Sequence, residues 1–474
     1  MAKNDTAIKD FRTTKPERVS FWMYLFGQNL FIGLVAFNMQ TFLSDVGITA
    51  ATIAAILFVT RLWDAVNDPL LGIIIDKVRF KKGRFMPWLR IAMPALTITS
   101  ILFFMLPTGA SPVIKVIWAI VAYVSWDISY TICDVPIHVL PTSMTDNSLE
   151  RGHLLTIGRT FALLGMVFTF IAIPILQARL GWLITALILI GMAAILLFPL
   201  CFKGKERRIV RPENNIKIKQ MIKYVVRNKY LLIFYIALFV SGITSFGHFV
   251  TIFFARINLG NQDLAALMML STFIPLLVVG FVMPRLIKKV DKFKIYFFCN
   301  LISAFVGIIR YFAGFSDLTI FFTLAIIHGI FTCVILILPF TFTPDFLEYG
   351  TYHTGERAEG VAMSIQTFFG KLISSVAGPL AMLIIAAFGF IEGEYAIQPD
   401  SVLTGLWLCI TIFPAIGTLL SLIILRFYKL RDKDVKVMAK YNNGEISKEE
   451  AEEHLSAKYG SAASLTQMKV TENE

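Results

Sequence analysis

Stretches of about twenty mainly apolar residues recur along this sequence, each long enough to cross a hydrocarbon core of roughly 30 Å. Twelve can be drawn, at residues 19–43, 50–75, 87–107, 113–140, 154–177, 181–202, 229–254, 264–287, 293–314, 317–341, 358–388 and 401–427. Lipid offers no partner to a free N–H or C=O, and the segments lack the alternating pattern of a barrel strand, so each is expected to be a helix. The expected fold class is an all-α membrane protein of twelve transmembrane helices, resident in the cell membrane. Composition agrees: 56% of the 474 residues are hydrophobic and 16% charged, with 42 Phe against six His, outside the range of ordinary soluble domains.

A net charge of +12 could suggest a nucleic-acid partner, but the basic residues gather in alternate loops instead of on one soluble face, so none is expected. Lys3, Lys9, Arg12, Lys15 and Arg18 precede the first span, and Lys77, Arg79, Lys81, Lys82 and Arg84 follow the second. Ten Lys and Arg lie in residues 203–229, and Lys288, Lys289, Lys292 and Lys294 follow the eighth span. The opposite loops hold little beyond Arg179 and Arg256. Cytoplasmic loops carry the excess of Lys and Arg, and with an even number of spans both termini are expected to be cytoplasmic. Cys133, Cys201, Cys299, Cys333 and Cys409 fall in or at the ends of spans without metal-ligand spacing, so neither a disulfide framework nor a transition-metal site is implied. The polar, basic start carries no cleavable signal pattern, so the first span is expected to persist.

The basic loop at 203–228 divides the spans six and six. The expected organisation is a bundle over 1–202, a bundle over 229–427 and a cytoplasmic tail over 428–474, the plan of transporters built from two parallel repeats. Short echoes support a repeat: Leu140 and Pro141 precede Glu150, Arg151 and Gly152, as Leu338 and Pro339 precede Glu356, Arg357 and Gly360. In the tail, Ile446 through Lys458, with Glu449, Glu450, Glu452 and Glu453, reads as a short solvated helix that ends the protein.

Charges inside the apolar spans point to function, because a charge near the bilayer centre costs at least about 2.5 kcal/mol. Span two carries Arg61, Asp64 and Asp68 at spacings of three and four, on one helical face, with Asn67 beside them. Two carboxylates on adjacent turns repel unless a cation or proton lies between them, so the pair suits a small monovalent ion. Span four presents Tyr130, Asp134 and His138 on one face, with Thr131 beside Tyr130 and Pro136 expected to bend the helix. Arg159 and Lys371 stand alone in apolar sequence and are expected to face a cavity, and Asp127 is a further embedded acid. Pairing that merely holds the bundles together is the competing reading for Arg61 and Arg159.

The run through Arg61, Trp63, Asp64, Asn67, Asp68 and Pro69, followed by Gly72, Asp76, Gly83, Arg84, Phe85, Met86 and Pro87, resembles a signature of the glycoside-pentoside-hexuronide cation symporters, a branch of the major facilitator fold. A second signature agrees, through Asp345, Glu348, Tyr349, Gly355, Arg357, Glu359, Gly360, Gln366, Thr367 and Lys371. By similarity to the melibiose permeases of that family, Asp64, Asn67, Asp68 and Thr131 match the cation site. Tyr130, Asp134, Arg159, Thr367 and Lys371 match positions around the sugar pocket or its coupling network. Two departures matter. Asn29, beside Gln28, stands where the permeases carry a carboxylate, and His138 replaces an aromatic that stacks on sugar. Both put an α-galactoside cargo in doubt.

The resemblance implies symport of a glycoside, pentoside or hexuronide with a monovalent cation, sodium being favoured by Asn67 and Thr131, through alternating access about a midplane site. Arg61, Asp76, Arg84 and Arg357 are the expected coupling or gating charges. Three alternatives stand beside this reading: proton coupling, transport of a lipid or lysophospholipid, and a non-transporting sensor. An enzyme is not expected, since no nucleophile motif, metal cluster or phosphate-cradling loop is present, and no cofactor beyond the co-transported ion is implied. The expected partners are a sugar, a monovalent cation and the bilayer, with the chain acting as a monomer.

Overall fold

A computed structural model describes residues 11–78, 80, 83–207, 228–355, 359–393 and 396–461. The long elements among the described residues are all helices: α1 (Lys15–Val35), α2 (Met39–Asp45), α3 (Ala50–Lys77), α4 (Met86–Phe104), α5 (Pro112–Met144), α6 (Ser148–Lys203), α7 (Lys229–Gly242), α8 (Gly247–Ile257), α9 (Leu264–Leu286), α10 (Lys292–Ala313), α11 (Leu318–Ile337), α12 (Thr343–Thr354), α13 (Glu359–Ala387), α14 (Asp400–Ile410), α15 (Ile412–Leu425), α16 (Asp432–Asn442) and α17 (Lys448–Tyr459). Among the described residues nine helices are long and apolar enough to cross a membrane, or ten if the bent pair α1–α2 is one span.

Two helices separate that number from the twelve stretches drawn in the sequence. Helix α3 runs for 28 residues with Arg61 and Asp64 in its first two-thirds, and several of its side chains lie outside the described residues over which that number is taken. Helix α6 is 56 residues long, about 84 Å at 1.5 Å per residue, far beyond one bilayer. It is broken at Gly181, whose φ of 72° and ψ of 174° are not helical. A positive φ strains any side chain with a Cβ, so glycine is the residue that allows a break there. Large apolar side chains such as Ile98, Val121, Ile195, Phe198, Phe305 and Phe312 remain exposed on helix surfaces, as lipid-facing positions should.

The chain forms two compact units. One comprises 1–213, 247–270 and 378–406, the other 214–246, 271–377 and 407–474. These units do not follow the linear halves, and the reason is polar chemistry within the first. Asp45, at the end of α2, is 3% exposed in its side chain and accepts from both Arg256 Nη1 (2.6 Å) and Nη2 (3.0 Å) on α8. Trp182 Nε1 donates to the same carboxylate at 2.8 Å. Arg179 pairs with Asp263 at 3.0 Å, Glu392 accepts from the Ala50 amide at 3.0 Å, and Gln262 donates to the Pro174 carbonyl at 3.0 Å. Short segments from the second half of the sequence are thereby tied to α2, α3 and α6.

Within this unit α1 lies directly against α6. A Cβ added to Gly165 would come within 2.4 Å of the Phe26 carbonyl oxygen, so the two backbones approach closer than any larger residue permits. At one end Glu150, fully buried, accepts from the Arg12 amide (3.0 Å), the Thr13 amide (2.8 Å) and the Thr145 hydroxyl (2.5 Å), fastening the start of the chain to α6.

The second unit is centred on stacked aromatics. Phe234 contacts Tyr296, Phe342, Phe346 and Tyr428 at centroid separations of 4.7 to 5.9 Å. The tail is part of this unit, which corrects the expectation of a solvated terminal helix. Ala451, Leu455 and Tyr459 recur every four residues along one face of α17, and all three are buried. Tyr459 donates to Asp434 at 2.6 Å and to the Lys429 carbonyl at 3.0 Å, Lys458 pairs with Asp434, and Asn442 reaches Glu348 at 2.8 Å. Burial, reinforced by Asp434, holds the Tyr459 hydroxyl well above the ordinary phenol range.

Candidate functional site

Helices α3 and α5 bring together most of the embedded charges, all in the first unit. Arg61 reaches forward one turn along α3 to Asp64 Oδ2 at 3.0 Å, and Tyr123 of α5 donates to the same oxygen at 3.4 Å. Both charged side chains are about one-fifth exposed. The other carboxylate oxygen, Asp64 Oδ1, is buried and accepts from no donor, and the Asp127 carboxyl of α5 lies within hydrogen-bonding reach of Asp64. A carboxylate oxygen in that position attracts a proton donor or a cation, because burying it bare is costly.

One turn further along α3, Asn67 is 3% exposed and donates to Thr131 Oγ1 at 3.0 Å and to Asp127 Oδ2 at 2.7 Å, both on α5. Three of the four residues expected to bind the cation are therefore found on facing stretches of α3 and α5, with Asn67 and Thr131 in direct contact. The side chain of the fourth, Asp68, lies outside the described residues.

The next turns of α5 carry a second polar group. Asp134 Oδ1 accepts from Gln28 Nε2 of α1 at 2.6 Å and stands 3.5 Å from His138 Nε2. Gln28 Nε2 also donates to the Tyr130 hydroxyl at 3.2 Å, while its Oε1 is buried without a partner. Asp134 and His138 are 39% and 59% exposed in their side chains, so both can meet a solute. The Tyr130 ring stacks on Trp126 at 5.2 Å and 24°, giving a flat apolar wall beside the carboxylate. A charged acceptor, an amide with a free oxygen and an aromatic wall are the groups that hold hydroxyls around an apolar ring face.

Not every expected residue joins these groups. Asn29 donates to the Leu25 carbonyl of its own helix at 2.8 Å, and its neighbour Gln28 is the one that meets Asp134. Arg159, exposed on α6, is close enough for its charge to act on His138, and Lys371 is exposed on α13. The side chains of Thr367 and Asp76 lie outside the described residues, as does Arg357 altogether. Arg61, expected as a gating charge, is committed to Asp64.

Around Arg84 the loop is organised by a residue the sequence reading passed over. Glu206 accepts from the backbone amides of Arg84 (2.8 Å), Phe85 (2.8 Å) and Met86 (2.7 Å), placing a carboxylate at the start of α4, where free N–H groups and the helix dipole favour an anion. Its position in a loop dominated by Lys and Arg hid that role. Gln28 and Asp127 were likewise visible as residues without being recognisable as partners.

A helical membrane fold with embedded carboxylates facing an amide and a hydroxyl defines a polytopic membrane transporter. The chain belongs to the MFS/sugar transport protein family, whose pattern it matches over residues 20–432. It is 29% identical over 439 residues to the uncharacterized symporter YnaJ of Bacillus subtilis (strain 168), covering 90% of this chain and 94% of that one. It is also 29% identical over 439 residues to the isoprimeverose transporter of Lactiplantibacillus pentosus, covering 89% and 90%. The fold matches the crystal structure of the nucleoside transporter NupG with a TM-score of 0.62 at 14% identity, over 87% of this chain and 99% of that one.

Proposed function

We propose that this protein is a secondary symporter that imports a glycoside, pentoside or hexuronide together with a monovalent cation by alternating access. Twelve crossings in two six-helix bundles, with both termini cytoplasmic, complete the proposal. The observation that carries it is the pair of polar groups on one helix: Thr131, which meets Asn67, and Asp134, which meets Gln28, are three residues apart on α5. Residues three apart lie on one helical face, so an ion drawn to the first group and a solute drawn to the second act on the same rigid element. Coupling between two such ligands is reciprocal: the cation tightens sugar binding by the factor by which sugar tightens cation binding.

Asp64, Asn67, Asp68 and Thr131 form the cation site in this reading. Its Asp64 Oδ1, which accepts from no donor, is the oxygen that most needs a cation. Sodium is favoured over a proton because an amide and a hydroxyl add neutral oxygens suited to a metal ion, whereas a proton needs only the carboxylates. Gln28, Tyr130, Asp134 and His138 hold the sugar, and the resemblance to the permeases adds Arg159, Thr367 and Lys371 to the candidates. A lipid cargo fits less well, since the Asp134 group is polar and open. The name of the isoprimeverose transporter supports a glycosylated pentose as one candidate cargo.

Replacing Asp64 with Asn tests the site. In proteoliposomes the wild-type protein should accumulate labelled glycoside when sodium is higher outside, and D64N should lose accumulation while retaining sugar exchange. Accumulation by D64N equal to wild type refutes the assignment.

A further inference from the structure

Asp127 has no role in the cation and sugar assignments above, yet it is one of the most buried acids in the chain, 6% exposed on a membrane helix. Its Oδ2 lies 2.7 Å from Asn67 Nδ2, the shorter of the two bonds that nitrogen makes. The groups facing it are Asn67, Asp64 and Arg61 from α3, with Tyr123 and Thr131 one turn either way on its own helix.

The side-chain amide of Asn has a donor end and an acceptor end of nearly equal size, and the surrounding hydrogen bonds decide which end points where. For Asn67 both neighbours at one end are oxygens, the Asp127 carboxylate and the Thr131 hydroxyl. A hydroxyl alone would not decide, because it can donate or accept. An ionised carboxylate only accepts, so it fixes the nitrogen toward α5 and turns the carbonyl oxygen away from α5. A neutral oxygen presented in this way is a cation ligand. Had the amide been inverted, it would aim two N–H bonds at an incoming cation and repel it.

We propose that Asp127 is a positioning residue of the cation site: it locks the Asn67 amide in the orientation that presents its carbonyl oxygen to the co-transported ion, and thereby sets affinity and ion selectivity. A bond of this kind between a carboxylate and a ligand's far side is the usual means by which a ligand's orientation is held, and its loss typically weakens metal binding by tenfold to a hundredfold. The proposal rests on the cation-site reading given above and adds Asp127 to it through the bond to Asn67.

Asp127→Asn keeps the size but removes the preference, because an Asn at 127 can offer either end to Asn67. The test measures the concentrations of sodium and of lithium that half-activate sugar uptake in proteoliposomes at one fixed pH, with sugar exchange at saturating sodium reporting that each variant is folded. For D127N the half-activating sodium concentration should rise at least tenfold, the sodium-to-lithium ratio should change, and the maximal rate should stay within about twofold. In an Asn67→Ala background, where there is no amide left to orient, adding D127N should produce no further shift. An unchanged sodium requirement and ratio in D127N, with Asn67→Ala impaired, overturns the positioning role and leaves the cation site standing. Unchanged values in both variants overturn the cation site and the proposal together. A fall in maximal rate alone, without a change in half-activation or ratio, also overturns it, since that is what a purely structural residue produces.

Discussion

Replacing Asp45 with Ala should release the contacts that tie α8 to α2. The carboxylate holds Arg256 through two bonds of 2.6 and 3.0 Å and Trp182 through one of 2.8 Å, with side-chain exposures of 3% for Asp45 and 16% for Arg256. Removing one partner of a buried ion pair costs about 3–5 kcal/mol, because the other charge is left without compensation. An orphaned indole N–H adds about 1–3 kcal/mol. Arg256 keeps a bond to Gln262 at 2.8 Å and some water, which lowers the net cost to about 2–4 kcal/mol. We propose that this cluster closes the outer side in the alternating-access cycle; on that reading the same energy appears as a shift toward the outward-open state, roughly 30-fold to 1,000-fold in the equilibrium. Ser44, 1% exposed next to Asp45, becomes a reporter as Ser44→Cys in a cysteine-free background. An impermeant maleimide added from outside should label it at least tenfold faster in the Asp45→Ala protein, and the paired swap Asp45→Arg with Arg256→Asp should slow labelling again. Labelling at the wild-type rate in Asp45→Ala would show that this cluster does not hold the outer side shut.

Other outcomes follow from single contacts. Gln28→Ala removes the donor 2.6 Å from Asp134 and should weaken sugar binding by roughly tenfold to a hundredfold, the equivalent of a bond to a charged group at about 1.5–3 kcal/mol, with little change in the sodium requirement; equilibrium binding of labelled sugar measures it. Gly165→Ala forces a Cβ against the Phe26 carbonyl and should lower the thermal midpoint of the purified protein by several degrees, whereas the same change at Gly152, where a Cβ meets nothing, should not. Leu455→Ala empties a fully buried position in α17 and should cost about 2–4 kcal/mol, read as a lower melting temperature and faster proteolysis of the tail.

The apolar helices were legible because lipid imposes one rule on every residue of a crossing segment, so hydropathy alone reports it. The charges within α3 mark the site: Asp64 and Asn67 stand on one face in the sequence and meet α5 in the structure. What could not be read was choice between neighbours. Gln28 and Asn29 differ by about 100° around a helix, and no periodicity says which of two adjacent amides meets Asp134. The partnership of Asp45 with Arg256 joins positions 211 apart, a distance no local pattern spans. The tail misled for a different reason. Its glutamates suggested full solvation, while the spacing of Ala451, Leu455 and Tyr459 already marked a buried stripe. Glu206 escaped because charge was read by its sum over a basic loop, whereas its role comes from three backbone amides.

Sugar transport coupled to a cation is the central claim, and accumulation is its most direct measure. Purified protein in sealed vesicles, offered a panel of labelled pentosides, glycosides and hexuronides, should concentrate at least one of them above its external level when an inward sodium gradient is imposed, and should only equilibrate it without one. Uptake that never exceeds equilibrium for any member of the panel, under a gradient of sodium, lithium or protons, would contradict the account.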